Sequence, residues 1–289
     1  ARHGEHPFVL PRVVFERLFE YQQDGVAWLA ELWLRRAGGV LADEMGLGKT
    51  VQICALLNGA RRSGATHALV LLPVTLLEQW ENEAKLWCPG WPVYRYYGSA
   101  AQREHALRGV SLPQGGVLLT SYSMLSNTDK LFGVDVAVSA QVRRKGGRPA
   151  KRKLEGEDVA PGDGQENWPE ADLPPTELPR PGESRPWDLV ICDEAHRMKN
   201  ISSLFSKSLR RLTAKCRLLL TGTPVQNALQ DLWALMDFAQ PGLLGNHATF
   251  VKTFSDPIDR GSVRGASPFA VNLKNHLAEQ LRGLIAPHM

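Results

Sequence analysis

The sequence predicts an α/β protein built on a doubly wound parallel sheet. Five short apolar runs carry the first argument: "GGVLADEMG" (38–46), "HALVLLP" (67–73), "GGVLLTSY" (115–122), "WDLVICDEAH" (187–196) and "CRLLLTGTP" (216–224). Runs apolar on both faces suit strands covered on both sides, as in a parallel sheet. Helical patterns at 17–36, 49–63, 75–87, 202–214 and 226–239 supply the second, because strands and helices that alternate make βαβ units. The third is the chemistry at the strand ends. "DEMGLGKT", "PVTLLEQW", "TSYSML", "DEAH" and "TGTPVQN" all follow apolar runs, and open α/β sheets bind ligands at the carboxyl ends of their strands.

Length and composition set the frame. A chain of 289 residues, 43% hydrophobic and 22% charged, has ample length for a buried core. Lys plus Arg exceed Asp plus Glu by 34 to 30, a net charge of +4, which permits a nucleic-acid partner without requiring one. Cys54, Cys88, Cys192 and Cys216 show neither disulfide nor metal spacing, so the chain reads as one from a reducing compartment. The longest apolar run, 68–77, is too short to span a bilayer, and no membrane partner is expected. The chain opens on Ala1 without Met and closes on "LIAPHM" without a helix stop signal, which suggests a piece of something longer.

Residues 126–186 break the rhythm. They are rich in Pro, Gly and charge, and the charge is sorted: 141–153 hold seven Lys or Arg and no acid, 154–178 eight Asp or Glu and no base. So long a segment without periodicity inside a compact domain reads as a disordered, charged insertion. Within it, Gly147-Arg148-Pro149 between bases has three readings. It resembles a degenerate AT-hook that would lay Arg148 in a narrow minor groove. It equally suits a nuclear localisation signal, or a solvated charge run that holds the loop off the core.

The strand end at 41–50, "LADEMGLGKT", nearly spells the phosphate loop G-x-x-x-x-G-K-[ST], with Asp43 where the first glycine belongs. Phosphate binding needs a strand that stops, a turn whose N–H groups point inward and a helix N-terminus. Gly46 and Gly48 supply backbone freedom, Lys49 reaches for phosphate, and the Thr50 hydroxyl suits Mg²⁺. The plain alternative is a glycine turn with a capping threonine. "LVICDEAH" adds an apolar strand ending in two carboxylates. Mg²⁺ takes oxygen ligands and keeps several waters, so Asp193 alone suffices as its carboxylate. Glu194 is then placed to polarise an attacking water. Cys192, just before them, reads as a small core residue.

"DEMGLGKT", "DEAHRMKN" and "LLLTGTPVQNALQDLWALMDF" together resemble the SNF2 (Swi2/Snf2) family of helicase superfamily two, from about Leu18 onward. That superfamily does not require the first glycine of the loop, so Asp43 fits. "PGLLGNHATFVKTFSDPI", followed by "GASP", looks most like its Cockayne syndrome group B and PICH-type branch. The resemblance implies a RecA-like lobe of the P-loop NTPase type over 17–125 and 187–289, with 1–16 as an N-terminal extension. It implies a DNA-dependent ATPase in the nucleus, with ATP and Mg²⁺ held by Asp43, Glu44, Met45, Gly46, Leu47, Gly48, Lys49 and Thr50. Lys49, Asp193 and Glu194 would be catalytic, and Thr50 and Asp193 would hold the metal. Gln22 would read adenine, while His196, Thr221 and Thr223 would link nucleotide state to lobe movement. A second RecA-like lobe in the same full-length protein would complete the site. Double-stranded DNA, in chromatin or under a bound protein, would be the partner.

Contact with DNA is expected at two strand-to-helix junctions. Thr75 and Gln79 stand in one, Thr120, Ser121 and Tyr122 in the other, with Lys199 and Asn200 nearby in sequence. Hydroxyls and backbone N–H groups there suit phosphate binding without base readout. The plain alternative for Thr75 is a helix cap, and Trp80 reads as core rather than as a stacking platform. The alternatives to a translocase are a DNA or chromatin scaffold with a vestigial ATP site and a strand-separating helicase. A small-molecule kinase would need lid arginines and an acceptor pocket, and the sequence shows no such set.

Overall fold

The computed structural model describes residues 7–125, 131, 186–198, 209–222 and 229–289. Of the expected insertion only Leu131 and Pro186 are among them. Strands β1 (Gly39–Leu41), β2 (His67–Leu72), β3 (Val93–Tyr96), β4 (Gly116–Ser121), β5 (Trp187–Cys192) and β6 (Ala214–Leu220) form one sheet. Their order is β1-β6-β5-β2-β4-β3, and each neighbouring pair is parallel. The doubly wound α/β fold expected from the sequence is therefore the fold observed.

Side chains alternate between the two faces of a strand, and here both faces are covered. Leu69, Leu71, Val190 and Cys192 enter the core on one side. Ala68, Val70, Leu189 and Ile191, from the same two strands, enter the core on the other. This is why the central strands read as unbroken apolar runs, and Cys192 is the small core residue it was read to be. The helices are α1 (Arg12–Phe15), α2 (Glu20–Arg35), α3 (Lys49–Arg62), α4 (Leu77–Trp87), α5 (Ala100–Ser111), α6 (Tyr122–Leu125), α7 (Leu229–Ala239), α8 (His247–Phe250), α9 (Asp256–Ser262) and α10 (Pro268–Ile285). Leu29 of α2, Leu56 of α3 and Trp80 of α4 cover one face. Leu107 of α5, Tyr122 of α6, Leu235 of α7 and Leu281 of α10 cover the other.

The structure departs from expectation at several elements. β3 and α5 were not foreseen. β3 is an edge strand in which only Tyr96 is buried, so "VYRY" lacks an apolar run. α5 starts on a capping box in which Ser99 Oγ accepts Gln102 N–H (3.3 Å) and Gln102 Oε1 accepts Ser99 N–H (2.8 Å). The helix expected over 202–214 does not reach its end, since β6 has begun by Ala214. α10, capped by Ser267 Oγ to Ala270 N–H (3.2 Å), was also missed; of its residues only Leu281 is buried, so its apolar stripe is thin. Among the described residues no helix is long and apolar enough to cross a membrane, and all four cysteines are free and buried.

Register then places the ends together. Leu41 lies beside Leu220, Leu219 beside Cys192, Cys192 beside Leu71, and Leu72 beside Ser121. The loops after β1, β6, β5, β2 and β4 thus leave along one edge of the sheet. At the opposite edge, Asp188 at the start of β5 ties three strands. Its Oδ2 accepts Thr66 N–H (2.7 Å), His67 N–H (3.0 Å) and Thr66 Oγ1 (3.1 Å), and its Oδ1 accepts Lys215 Nζ (2.6 Å). Burial opposes the charge on Asp188, but the Lys215 ammonium and the two backbone N–H groups outweigh it, and the pKa falls below the usual carboxylate range. A depressed pKa contributes stability that is full above the unfolded value of about 3.9 and is lost as pH falls through the folded one. Asp188→Asn should lower stability at neutral pH by about 1–3 kcal/mol. It should also flatten the decline of stability below about pH 4, read by urea melts across the acid range. An unchanged acid limb would contradict this role for Asp188.

Candidate nucleotide and nucleic-acid site

The loop after β1 turns on Gly46 (φ 87°) and Gly48 (φ 72°), both in the left-handed region that favours glycine. Gly48 is the N-cap of α3, and a Cβ there would also strike the Gln22 amide. Lys49 Nζ donates to Asp43 O (2.7 Å) and Glu44 O (2.8 Å), closing the loop on itself. Gln52, fully buried one turn into α3, donates Nε2 to Asp43 Oδ2 (2.9 Å). Asp43 thus does what the absent glycine could not, pinning the start of the loop to its helix by a side chain. The Gln52 staple was not read from the sequence, although a glutamine on the buried side of an otherwise apolar helix was the available signal.

Gln22 lies at the loop as expected, but its amide is engaged with backbone. Its Oε1 accepts Phe19 N–H (3.1 Å) and its Nε2 donates to Leu47 O (3.2 Å). Met45 and Glu44 face solvent, Met45 with 68% of its surface exposed. A cavity of about 640 Å³ opens beside the loop, lined by Tyr21, Gly25, Trp28, Asp43 and Leu47 among others.

The carboxylates stand one strand away. β6 separates β1 from β5, which sets the two strand ends roughly 10 Å apart. Lys49 follows β1 and Asp193 follows β5 at the same edge of the parallel sheet, so the two motifs adjoin one another across the end of β6. Asp193 is 7% exposed. Its Oδ2 accepts Trp80 Nε1 (2.8 Å), its Oδ1 accepts Glu194 N–H (2.9 Å), its N–H donates to Leu71 O (2.8 Å), and its carbonyl accepts the Tyr122 hydroxyl. Burial raises the Asp193 pKa, and the charge of Glu194 adds to the rise; the Trp80 and Glu194 N–H groups and Lys49 oppose it.

Glu194 holds a left-handed backbone (φ 52°), strained for a side chain of its kind. Its Oε2 approaches His196 Nδ1 to 3.1 Å. Both atoms are buried, and neither makes a hydrogen bond of good geometry among the described residues; proximity without alignment is the better description of the pair. Thr221 is fully buried between the two strand ends and donates its N–H to Leu41 O (3.1 Å). Thr223 lies outside the described residues.

On the far side of β5 the expected DNA contacts divide. Thr75 and Gln79 are exposed at the start of α4, and Thr75 caps neither the 3₁₀ turn Val74–Leu76 nor α4. Thr120, Ser121 and Tyr122 are corrected: all three are buried. Thr120 Oγ1 donates to Tyr96 O (2.9 Å), and the Tyr122 hydroxyl donates to Asp193 O. Being on or beside a central strand puts their side chains in the core, and no free hydroxyl of theirs meets solvent. Ser123, exposed and within 2.9 Å of Ser121 Oγ, is the surface hydroxyl at that junction. Lys199, Asn200 and Arg148 lie outside the described residues.

A family model described as the SNF2-related domain matches residues 21–289. The mouse (Mus musculus) protein named DNA excision repair protein ERCC-6-like is 36% identical over 284 residues, covering 97% of this chain and 19% of its own. The rice (Oryza sativa subsp. japonica) DNA excision repair protein CSB is 33% identical over 288 residues, covering 97% and 22%. These names fall in the branch that the C-terminal residues resemble. Among solved structures, the Sulfolobus solfataricus SWI2/SNF2 ATPase core in complex with dsDNA matches with a TM-score of 0.66 and 25% identity, over 98% of this chain and 45% of that one. The chain spans about a fifth of the length of the curated relatives it matches. A match that covers residues 21–289 shows that the chain belongs to the SNF2-related domain family.

Proposed function

We propose that this chain is the ATP-binding, first RecA-like lobe of a double-stranded-DNA translocase, formed by 17–125 and 187–289 and interrupted by an insertion at 126–186. In the full-length protein, ATP hydrolysis drives movement along duplex DNA and remodels chromatin or other protein–DNA complexes in the nucleus, in transcription or repair. The observation that carries this reading is the convergence of Lys49 and Asp193 on one sheet edge, with β6 between them. The Sulfolobus neighbour holds dsDNA, and the relatives' names speak of excision repair.

The residues fit a magnesium-bound nucleotide. Asp193 is a buried carboxylate whose charge is penalised by desolvation, and a divalent cation would remove that penalty. Each of its oxygens already holds one donor that fixes its direction. Thr50, at the second position of α3, offers the hydroxyl. Bound there, Mg²⁺ would neutralise charge on the phosphate oxygens. Lys49 would exchange its two loop carbonyls for phosphate oxygens. The N-terminus of α3 would add its partial positive charge. Glu194, whose buried Oε2 lies 3.1 Å from His196 Nδ1, would orient the attacking water and take its proton. Thr75, Gln79 and Ser123 would touch DNA phosphates from the β2 and β4 ends. The arginines that stabilise charge leaving the γ-phosphate would come from a second RecA-like lobe.

The decisive measurement is ATP hydrolysis by the full-length protein with and without duplex DNA. Wild type should be stimulated, whereas Lys49→Ala and Glu194→Gln should leave only background. A wild type indifferent to DNA would sink the translocase reading in favour of a scaffold. The isolated 289-residue chain should turn over ATP at least about 10³-fold more slowly than the full-length protein, because a missing arginine finger is worth that much or more. Comparable rates would remove the need for a second lobe. Asp193→Asn should abolish the stabilisation of the protein by Mg-ATP, read as the rise in melting temperature on adding Mg-ATP to wild type and variant. A wild-type rise in the variant would remove Asp193 from the metal site.

A further inference from the structure

Asp193 is gripped from both faces of the sheet. Trp80 belongs to α4, packed in the core on one face. Tyr122 opens α6, packed in the core on the other. Trp80 Nε1 takes the carboxylate at Oδ2 (2.8 Å), and the Tyr122 hydroxyl takes the backbone carbonyl of the same residue. Neither comes from the nucleotide side. β2 and β4, which lead into α4 and α6, lie across β5 from β6 and β1. Each grip also adjoins an exposed strand-end position. Gln79 immediately precedes Trp80, with Thr75 in the turn before it, and Ser123 immediately follows Tyr122.

We propose that Trp80 and Tyr122 are positioning residues that tie occupation of the β2 and β4 strand ends by a DNA backbone to the alignment of Asp193. The inference rests on the ATPase reading above and adds the route by which DNA acts on it. Trp80 is 1% and Tyr122 7% exposed, so neither donor can replace its acceptor with water. Buried hydrogen bonds left unmade are costly, and they weaken steeply with angle. A small shift of α4 or α6 on binding phosphate is therefore passed to Asp193 rather than absorbed. Outer partners of a metal-ligating group typically change metal affinity or activity by 10–100-fold when removed.

Trp91 provides the control. It is equally buried, at 3%, in the same core as Trp80, but its Nε1 makes no hydrogen bond among the described residues. Trp80→Phe, Tyr122→Phe and Trp91→Phe would be made in the full-length protein. Each would be assayed for ATPase with and without duplex DNA, for nucleotide-free duplex affinity by fluorescence anisotropy, and for melting temperature. In Trp80→Phe and Tyr122→Phe the ratio of stimulated to basal rate should fall about 10-fold or more, with duplex affinity unchanged. Trp91→Phe should keep the wild-type ratio. A purely structural role would lower both rates together and leave the ratio intact, and that result overturns the proposal. So does a fall in ratio that only tracks lost DNA affinity, or an equal fall in Trp91→Phe. Should Trp80→Phe fail to fold, Tyr122→Phe, which removes one oxygen, decides the matter by the same criteria. Wild type without DNA stimulation would instead overturn the ATPase reading itself.

Discussion

Parallel pairing of β6 with β1 on one side and β5 on the other is the arrangement from which the site follows. The glycine loop at 42–48 and the acidic pair Asp193-Glu194 are far apart in the chain, and on the proposed function neither would hold a nucleotide alone. Inserting one strand between them fixes their separation at roughly two strand spacings, and that strand closes with Thr221 in the gap. At the opposite edge Asp188 ties the starts of β2, β5 and β6. The same strand, β5, therefore carries a buried carboxylate at each end. One is supplied with an ammonium and backbone donors and has its charge favoured. The other has its charge disfavoured by burial. On the proposed function, stability is concentrated at one end and reactivity would be at the other.

The sequence revealed much of this because central strands covered on both faces have no polar phase to confuse the pattern. The elements it hid are those with one foot in solvent. β3 buries only Tyr96 and leaves no clear periodicity; α10 buries only Leu281, although Phe269, Leu273, Leu277, Leu281 and Ile285 recur at helical spacing that could have revealed it. The same logic explains the DNA candidates. Thr120 and Ser121 were assigned by their place at a strand end, but strand residues there still alternate into the two cores, and register alone reveals which hydroxyls are used up. Trp80 was correctly read as core. Its bond to Asp193 could not be seen without the fold, although a buried indole N–H always raises the question of its acceptor.

Asp43 shows how a loop can lose a glycine and keep its start anchored. A glycine at the head of a phosphate loop provides conformational freedom; an aspartate provides an anchor. Here freedom is left to Gly46 and Gly48, and the anchor is taken by Gln52. Two buried amides, Gln22 and Gln52, hold the loop from opposite ends.

The lysine that opens α3 has an energetic meaning on the proposed function. Lys49 spends its ammonium on the carbonyls of Asp43 and Glu44, so an arriving phosphate meets a satisfied cation. Binding is then a swap of partners, in which most of the enthalpy of the new contacts is cancelled by the old ones given up. Selectivity follows from that cancellation. A lone small anion gains little by displacing two carbonyls, whereas a polyphosphate that also engages the helix N-terminus and the Asp193 side gains several contacts for the same exchange. On that reading the loop would discriminate by the number of simultaneous contacts an incoming molecule can make.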